Sequence, residues 1–162
     1  MPEALLTPLL EAQDRITTGR AVEEDDLHVT LVFLEDVAEA ALAEADLALQ
    51  DMALPRVPLT LRGLQIFGAT QTVVAADVAM SEEMERVQRG VLKALRGAGV
   101  VPPRARLRPH ITLRRLKRGQ SPGAPKDAAL VGAAVADRLN LWESRLRPDG
   151  ARYDVLAEYP LR

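Results

Sequence analysis

The 162-residue sequence contains no cysteine, which excludes a disulfide framework, a thiol nucleophile and a cysteine-ligated zinc site. No apolar run approaches the length of a membrane span, and the start, Met1-Pro2-Glu3, lacks the basic region that opens a signal peptide. Neither membrane contact nor export is therefore expected, and the expected setting is the cytoplasm. A strong charge of either sign is also missing: the net charge is −2, so any attraction to a polyanion must come from a local patch. Aromatic residues make up only 3% of the chain. Phe33, Phe67, Trp142, Tyr153 and Tyr159 are accordingly expected in the core, with little left to stack a long single strand of bases. Hydrophobic content of 48% with 27% charged residues fits one globular domain or two small lobes.

Histidine is nearly absent too, and both copies open the same frame: His28-Val29-Thr30-Leu31 and His110-Ile111-Thr112-Leu113. Chance would place Thr and Leu after both histidines on the order of 1 time in 10⁵ at ordinary residue frequencies. In an extended strand, residues two apart share a face, about 6–7 Å from each other. Each motif thus reads as a strand with an imidazole and a hydroxyl on one face and aliphatic side chains on the other. A lone strand histidine is ordinarily a structural residue; the repeat is what points to a site.

The second motif lies in an acid-free basic stretch, Arg104, Arg106, Arg108, Arg114, Arg115, Lys117 and Arg118. A charged sheet edge that deters pairing is the simple explanation. Strand parity nevertheless puts Arg108, His110, Thr112 and Arg114 on one face, and guanidinium forks match phosphate oxygens. The acidic run Glu23-Glu24-Asp25-Asp26 ahead of the first motif reads as a solvated turn. No metal site is expected, because two histidines without an evident third ligand fall short of a catalytic zinc set.

Periodicity predicts helices over 3–17 and 36–50, motif strands over 27–34 and about 106–116, and a strand from Val57 bulged at Gly63. A hairpin turn at Gly68-Ala69-Thr70-Gln71 leads to a partner strand over 72–78. Ser81 then caps a helix with an apolar stripe of Met84, Val87, Val91 and Leu95, ended by Gly97 and Gly99. A short helix near 126–135 precedes strands at about 138–147 and 151–159, joined by Pro148-Asp149-Gly150. The order is α-β-α-β-β twice over. The fold class expected is α+β: one bilobal domain over 1–162, built from a duplicated unit with approximate halves 1–80 and 81–162. Its antiparallel sheets carry helices on the outside and enclose a central cleft between the two His-x-Thr strands.

These motifs resemble the signature strands of the two-histidine (2H) phosphoesterase superfamily, in its 2′-5′ RNA ligase or RNA 2′,3′-cyclic phosphodiesterase branch. The resemblance rests on Leu27-His28-Val29-Thr30-Leu31 and Arg108-Pro109-His110-Ile111-Thr112-Leu113, with Leu141-Trp142-Glu143-Ser144-Arg145-Leu146 and Pro148–Tyr153 similar to a C-terminal hairpin. Two departures stand out. The family pattern opens with an apolar strand before the first helix, which is not seen after Met1. It also carries an aromatic before the first motif, where this chain has Ala21-Val22. A monomer is expected, or a dimer if the missing strand leaves an open edge.

The resemblance implies metal-free, cofactor-free hydrolysis of 2′,3′-cyclic phosphates to 2′-phosphates, with His28 as general acid to the ribose oxygen and His110 as general base on water. Thr30 and Thr112 would donate to the non-bridging oxygens, and Arg108 or Arg114 would add positive charge. The partners implied are RNA 3′ ends, short oligonucleotides or nucleoside cyclic phosphates. Reversal of the same chemistry, 2′-5′ ligation, ranks second because water favours hydrolysis. The alternatives are a non-catalytic module that binds an RNA end or nucleotide, and a purely structural role for both histidines.

Overall fold

The computed structural model describes residues 1–68, 72–104, 106–121, 123, 129–147 and 150–162. In chain order the elements are α1 (Glu3–Asp14), β1 (Arg20–Ala21), a 3₁₀ turn (Glu24–Asp26), α2 (Glu39–Gln50), β2 (Val57–Phe67) and β3 (Val73–Val78), followed by α3 (Glu82–Gly97), β4 (His110–Arg115), β5 (Val131–Ala136), β6 (Arg138–Arg147) and β7 (Gly150–Pro160). Five strands form one sheet in the order β1-β4-β3-β2-β5, and β6 and β7 form a two-stranded antiparallel sheet. Within the larger sheet β1–β4, β4–β3 and β3–β2 all pair antiparallel.

Contacts divide the chain into two compact units, each made of three segments. The first holds Met1–Leu31, Pro58–Ser81 and Arg108–Val135; the second holds Val32–Val57, Glu82–Leu107 and Ala136–Arg162. The compact units are therefore not the contiguous halves 1–80 and 81–162, and both His-x-Thr motifs fall in the first unit rather than one in each. The cause is long-range pairing: Val29 bridges antiparallel to Ile111, which outweighs chain proximity in deciding what packs together.

In the first unit α1 buries Leu5, Leu9 and Ala12, and Ile16 follows in the same register just past its end. Leu5 and Pro8 close over Gly132 of β5. In the same unit β3 is almost wholly buried, with Val74, Ala75, Ala76 and Val78 at 0% exposure. The expected bulge at Gly63 is present: the β2–β3 register shifts between Leu61 and Leu64, and Gly63 takes φ +118°.

Three expectations are corrected here. Residues 27–34 are not a laddered strand; among the described residues only Val29 forms a bridge. The second motif strand is shorter than 106–116, because Pro109 has no N–H to donate and pairing begins at His110. Residues 131–136 are strand β5 instead of helix, a run of small and branched residues too short for periodicity to decide. Residues 69–71 and 148–149, expected in turns, and 126–128, expected to start that helix, lie outside the described residues.

The second unit packs α2 against α3 and β7. The predicted stripe Met84, Val87, Val91 and Leu95 is buried, and on the exposed face Glu85 pairs with Arg89 at 3.4 Å. Tyr159 is buried and donates to Asp46 at 2.6 Å; burial and that bond raise its pKa well above the ordinary value. Trp142 meets Tyr153 edge-on across β6 and β7. Phe33, expected in the core, is 67% exposed. Among the described residues no helix is long and apolar enough to cross a membrane.

Candidate active site

The site begins with how the edge of β4 is covered. Arg20 and Ala21 pair with Arg115 and Arg114, and the Val22 N–H donates to the Leu113 carbonyl at 2.9 Å. The chain then steps out of the ladder through the 3₁₀ turn Glu24–Asp26 and rejoins at Val29 opposite Ile111. The acidic run is thus the turn it was expected to be, and its effect in the fold is to lift the chain so that His28 re-enters beside β4.

The Val29–Ile111 bridge makes the two motifs an antiparallel pair centred on their middle residues. His28 then lies level with Thr112, and Thr30 with His110. Alternation puts all four side chains on one face, with the histidines on a diagonal of roughly 7–8 Å. This local twofold explains why the same frame occurs twice.

Each imidazole is held in the same way. His28 Nδ1 lies 2.7 Å from the Asp26 carbonyl oxygen, and His110 Nδ1 lies 2.7 Å from the Arg108 carbonyl oxygen. A carbonyl only accepts, so both Nδ1 atoms carry the proton, and in the neutral ring Nε2 is left as the acceptor. The surroundings of the two rings differ. His28 Nε2 meets the Thr30 hydroxyl at 3.1 Å. The His110 ring stacks on Phe67, with centroids 4.6 Å apart and planes 28° from parallel. Phe67 and His110 sit two strands and several ladder steps apart, so the sheet must curl strongly for them to meet.

Burial pushes the His28 imidazole below its ordinary pKa of 6.5; the Asp26 carbonyl bond opposes this, and the positive charge of Arg115 adds to the lowering. Arg115 therefore stands near enough to act on His28.

The arginine expected on this face is corrected by a bulge. Along β3, Val73, Ala75 and Asp77 alternate onto one face, and their partners are Arg115, Thr112 and His110. Between Val74 and Ala75 the register shifts, so β4 advances two residues, Arg114 to Thr112, for one of β3. The extra residue, Leu113, reverses the parity beyond it. Arg115 consequently shares the face of His110 and Thr112, and Arg114 points the other way. There Arg114 donates from Nε to the Gln13 carbonyl at 3.0 Å and from Nη1 to the Gly19 carbonyl at 3.1 Å. Arg108 supplies its carbonyl to His110, and its side chain is exposed.

The bulge is pinned by Gln13, 7% exposed, whose Nε2 donates to the Val22 and Leu113 carbonyls at 2.8 and 2.9 Å. Phe67, Arg115 and Gln13 are the residues sequence reasoning missed. A glutamine on the apolar face of α1 was the available signal for the last.

Residues 4–145 match the family model of the 2′-5′ RNA ligase superfamily. An RNA 2′,3′-cyclic phosphodiesterase of Aeropyrum pernix is 28% identical over 153 residues, 86% of this chain and 84% of its own length. Its namesake in Archaeoglobus fulgidus is 27% identical, over 92% and 88% of the two chains. Among solved structures, a protein of Thermus thermophilus superposes with TM-score 0.83 at 26% identity, covering 100% of this chain and 94% of that one. Escherichia coli LigT complexed with 3′-AMP superposes at 0.77 with 19% identity, over 99% and 93%. The mixed α/β fold built on an antiparallel sheet is common to them.

Proposed function

This chain belongs to the 2′-5′ RNA ligase superfamily, and from that premise and the geometry of its paired motifs we propose that it is an RNA 2′,3′-cyclic phosphodiesterase. The observation that carries the proposal is the antiparallel His-x-Thr pair, which presents two Nε2 atoms from rings fixed by identical carbonyl bonds. Two relatives named for this activity cover most of the chain at 28% and 27% identity, and LigT has been solved with 3′-AMP, ATP and NADP+.

A 2′,3′-cyclic phosphate is a strained monoanionic diester. Water attacks phosphorus as one imidazole removes its proton, the bond to the 3′ oxygen breaks, and the other imidazole protonates that oxygen. The product is a 2′-phosphate with a 3′-hydroxyl. Each imidazole contributes about 10²–10⁴-fold. The Thr30 and Thr112 hydroxyls donate to the non-bridging oxygens as charge builds there, and Arg115, not Arg114, supplies the guanidinium on that face. His28 acts as the acid and His110 as the base, the polarity the family resemblance implies. The substrate's negative charge raises the depressed pKa of His28 toward the cationic state this requires.

The opposite polarity has one observation in its favour: burial lowers the pKa of His28 and so favours its neutral form in the unliganded protein. Under that reading His28 is the base. An aryl phosphodiester separates the two, because a phenolate of low basicity leaves without an acid. The histidine variant that regains activity on the aryl ester, relative to the cyclic phosphate, is the one that has lost the acid.

The primary experiment is turnover of a nucleoside 2′,3′-cyclic phosphate in chelator by wild type, His28→Ala and His110→Ala, with 2′- resolved from 3′-monophosphate. Loss of turnover in both folded variants and a 2′-phosphate product are expected. A folded wild type that turns over neither this substrate nor a cyclic-phosphate-ended oligonucleotide overturns the proposal in favour of a binding module. With a 5′-hydroxyl in place of water, the same pair would open the cyclic phosphate into a 2′-5′ linkage, the 3′ oxygen leaving as a hydroxyl; hydrolysis dominates in water.

A further inference from the structure

Beyond the reacting phosphate, we infer that the loop carrying Lys117 and Arg118 is a binding surface for RNA, taking phosphates of the strand on the 5′ side of the reacting end. The inference rests on reading the His-x-Thr face as a phosphate site. It makes the preferred substrate an RNA chain and not a mononucleotide.

Lys117 and Arg118 close the basic stretch of the second motif, and no acid follows before Asp127. Arg114, earlier in that stretch, is taken up by two carbonyls inside the fold, whereas Lys117 and Arg118 are both exposed. The Leu116 N–H bonds the Thr72 carbonyl at 2.8 Å, so the ladder continues one residue past β4. Leu116 is buried, and alternation returns Lys117 to the face of Thr112 and Arg115. Lys117 lies about 13 Å along the strand from Thr112. That is beyond a mononucleotide held at the histidines and within reach of the next nucleotides of a chain. Because the cyclic phosphate is a 3′ end, those nucleotides lie on its 5′ side.

An exposed polar loop has no core to order it, yet hydrogen bonds fix this one. In the turn Lys117-Arg118-Gly119-Gln120 the Gln120 N–H donates to the Lys117 carbonyl at 3.0 Å. Gly119 takes φ +81° at the third position, where a positive φ favours glycine. The Gln120 side chain accepts the Lys117 N–H at 2.8 Å and closes the turn a second time. Beyond it the Thr18 hydroxyl donates to the Ser121 carbonyl at 3.0 Å and accepts the Gly123 N–H at 2.8 Å. The Thr17 N–H donates to the Gly123 carbonyl at 3.3 Å. The segment joining α1 to β1 thus clasps the segment that follows β4. The backbone carrying the two cations is set before any ligand arrives, which lowers the ordering cost of binding. With aromatics at 3% of the chain, such a surface reads backbone phosphate and not base.

The test is equilibrium binding, which does not depend on turnover. The probes are a tetranucleotide ending in a 2′-phosphate and the corresponding nucleoside 2′-monophosphate. Each is titrated at several salt concentrations into wild type, the double variant Lys117→Gln with Arg118→Gln, and the charge-retaining double variant Lys117→Arg with Arg118→Lys. In the glutamine variant the preference for tetranucleotide over mononucleotide falls about tenfold, and the salt slope for the tetranucleotide drops by about 1.4, two single-strand phosphate contacts. The charge-retaining variant keeps the slope. An unchanged ratio and slope in the folded glutamine variant overturns the surface, whatever the turnover. An equal loss for both probes overturns it too, by placing the two cations at the reacting phosphate. Conversely, a slope that depends on Lys117 and Arg118 in a protein that hydrolyses no cyclic phosphate keeps the surface and sinks the hydrolase reading.

Discussion

The two His-x-Thr motifs are nearly identical in sequence, yet the protein embeds them differently. His110 opens β4, inside the five-stranded sheet, with Ile111 and Leu113 at 0% exposure beneath it and Phe67 against its ring. His28 sits where an edge segment re-enters the ladder after a 3₁₀ turn, held at one bridge, and its ring bonds its own motif's threonine. One imidazole is fixed by a strand and a stacked ring, the other by a turn and a hydroxyl. Equal motifs thus sit in unequal surroundings, and at His28 burial lowers the affinity of the imidazole for its proton.

The comparison breaks most visibly on removing either ring. His28→Ala and His110→Ala each lower kcat on a cyclic phosphate by about 10²–10⁴-fold, with melting temperatures close to wild type. A large loss of melting temperature in both, with residual activity, would return the histidines to a structural role.

The adjacent arginines sharpen it next. Arg114→Ala leaves the Gln13 and Gly19 carbonyls without their donor and destabilises the fold by about 1–3 kcal/mol, read by denaturant unfolding. Arg115→Ala lowers kcat/KM by about tenfold or more beyond any loss of stability, the loss of one charge-assisted contact to phosphate. If the two effects are exchanged, the bulge at Leu113 does not set the face.

The pH dependence of stability tests the lowered proton affinity of His28. Because the folded-state pKa of His28 lies below 6.5, the unfolded chain binds the proton first as pH falls. Neutral His28 therefore costs no stability above 6.5, and stability is lost as pH drops from there through the folded value. Wild type accordingly loses melting temperature over this interval more than His28→Gln does. Parallel curves would show that burial does not lower the proton affinity of His28.

The smallest effect expected is at Phe67. Phe67→Leu keeps apolar bulk but loses the ring that stacks on His110, lowering kcat on a cyclic phosphate a few-fold as the imidazole loses its packing partner. An unchanged kcat would make the stack incidental.

Much of this was legible in residue order. The buried stripe of α3 follows from apolar residues three and four apart, and the β2 bulge from the phase change at Gly63. The His and Thr pairs follow from a period of two. Arg115 was not legible, because parity counting assumes an unbroken ladder and one inserted residue inverts every position beyond it. Strand β5 was missed because Val131–Ala136 is short and mixes helix-favouring alanines with Gly132 and two valines, and its pairing at the sheet edge decides its state.

By itself the sequence determined the chemistry available: two imidazoles, two hydroxyls and a surplus of guanidiniums without thiols. Residue types and local periods are properties of neighbours along the chain. Tertiary structure alone decided that the two motifs pair with each other, that Arg115 joins them while Arg114 anchors Gly19, and that Phe67 covers His110. Those outcomes depend on register between segments up to about a hundred residues apart, which long-range hydrogen bonds and packing fix and local propensity does not.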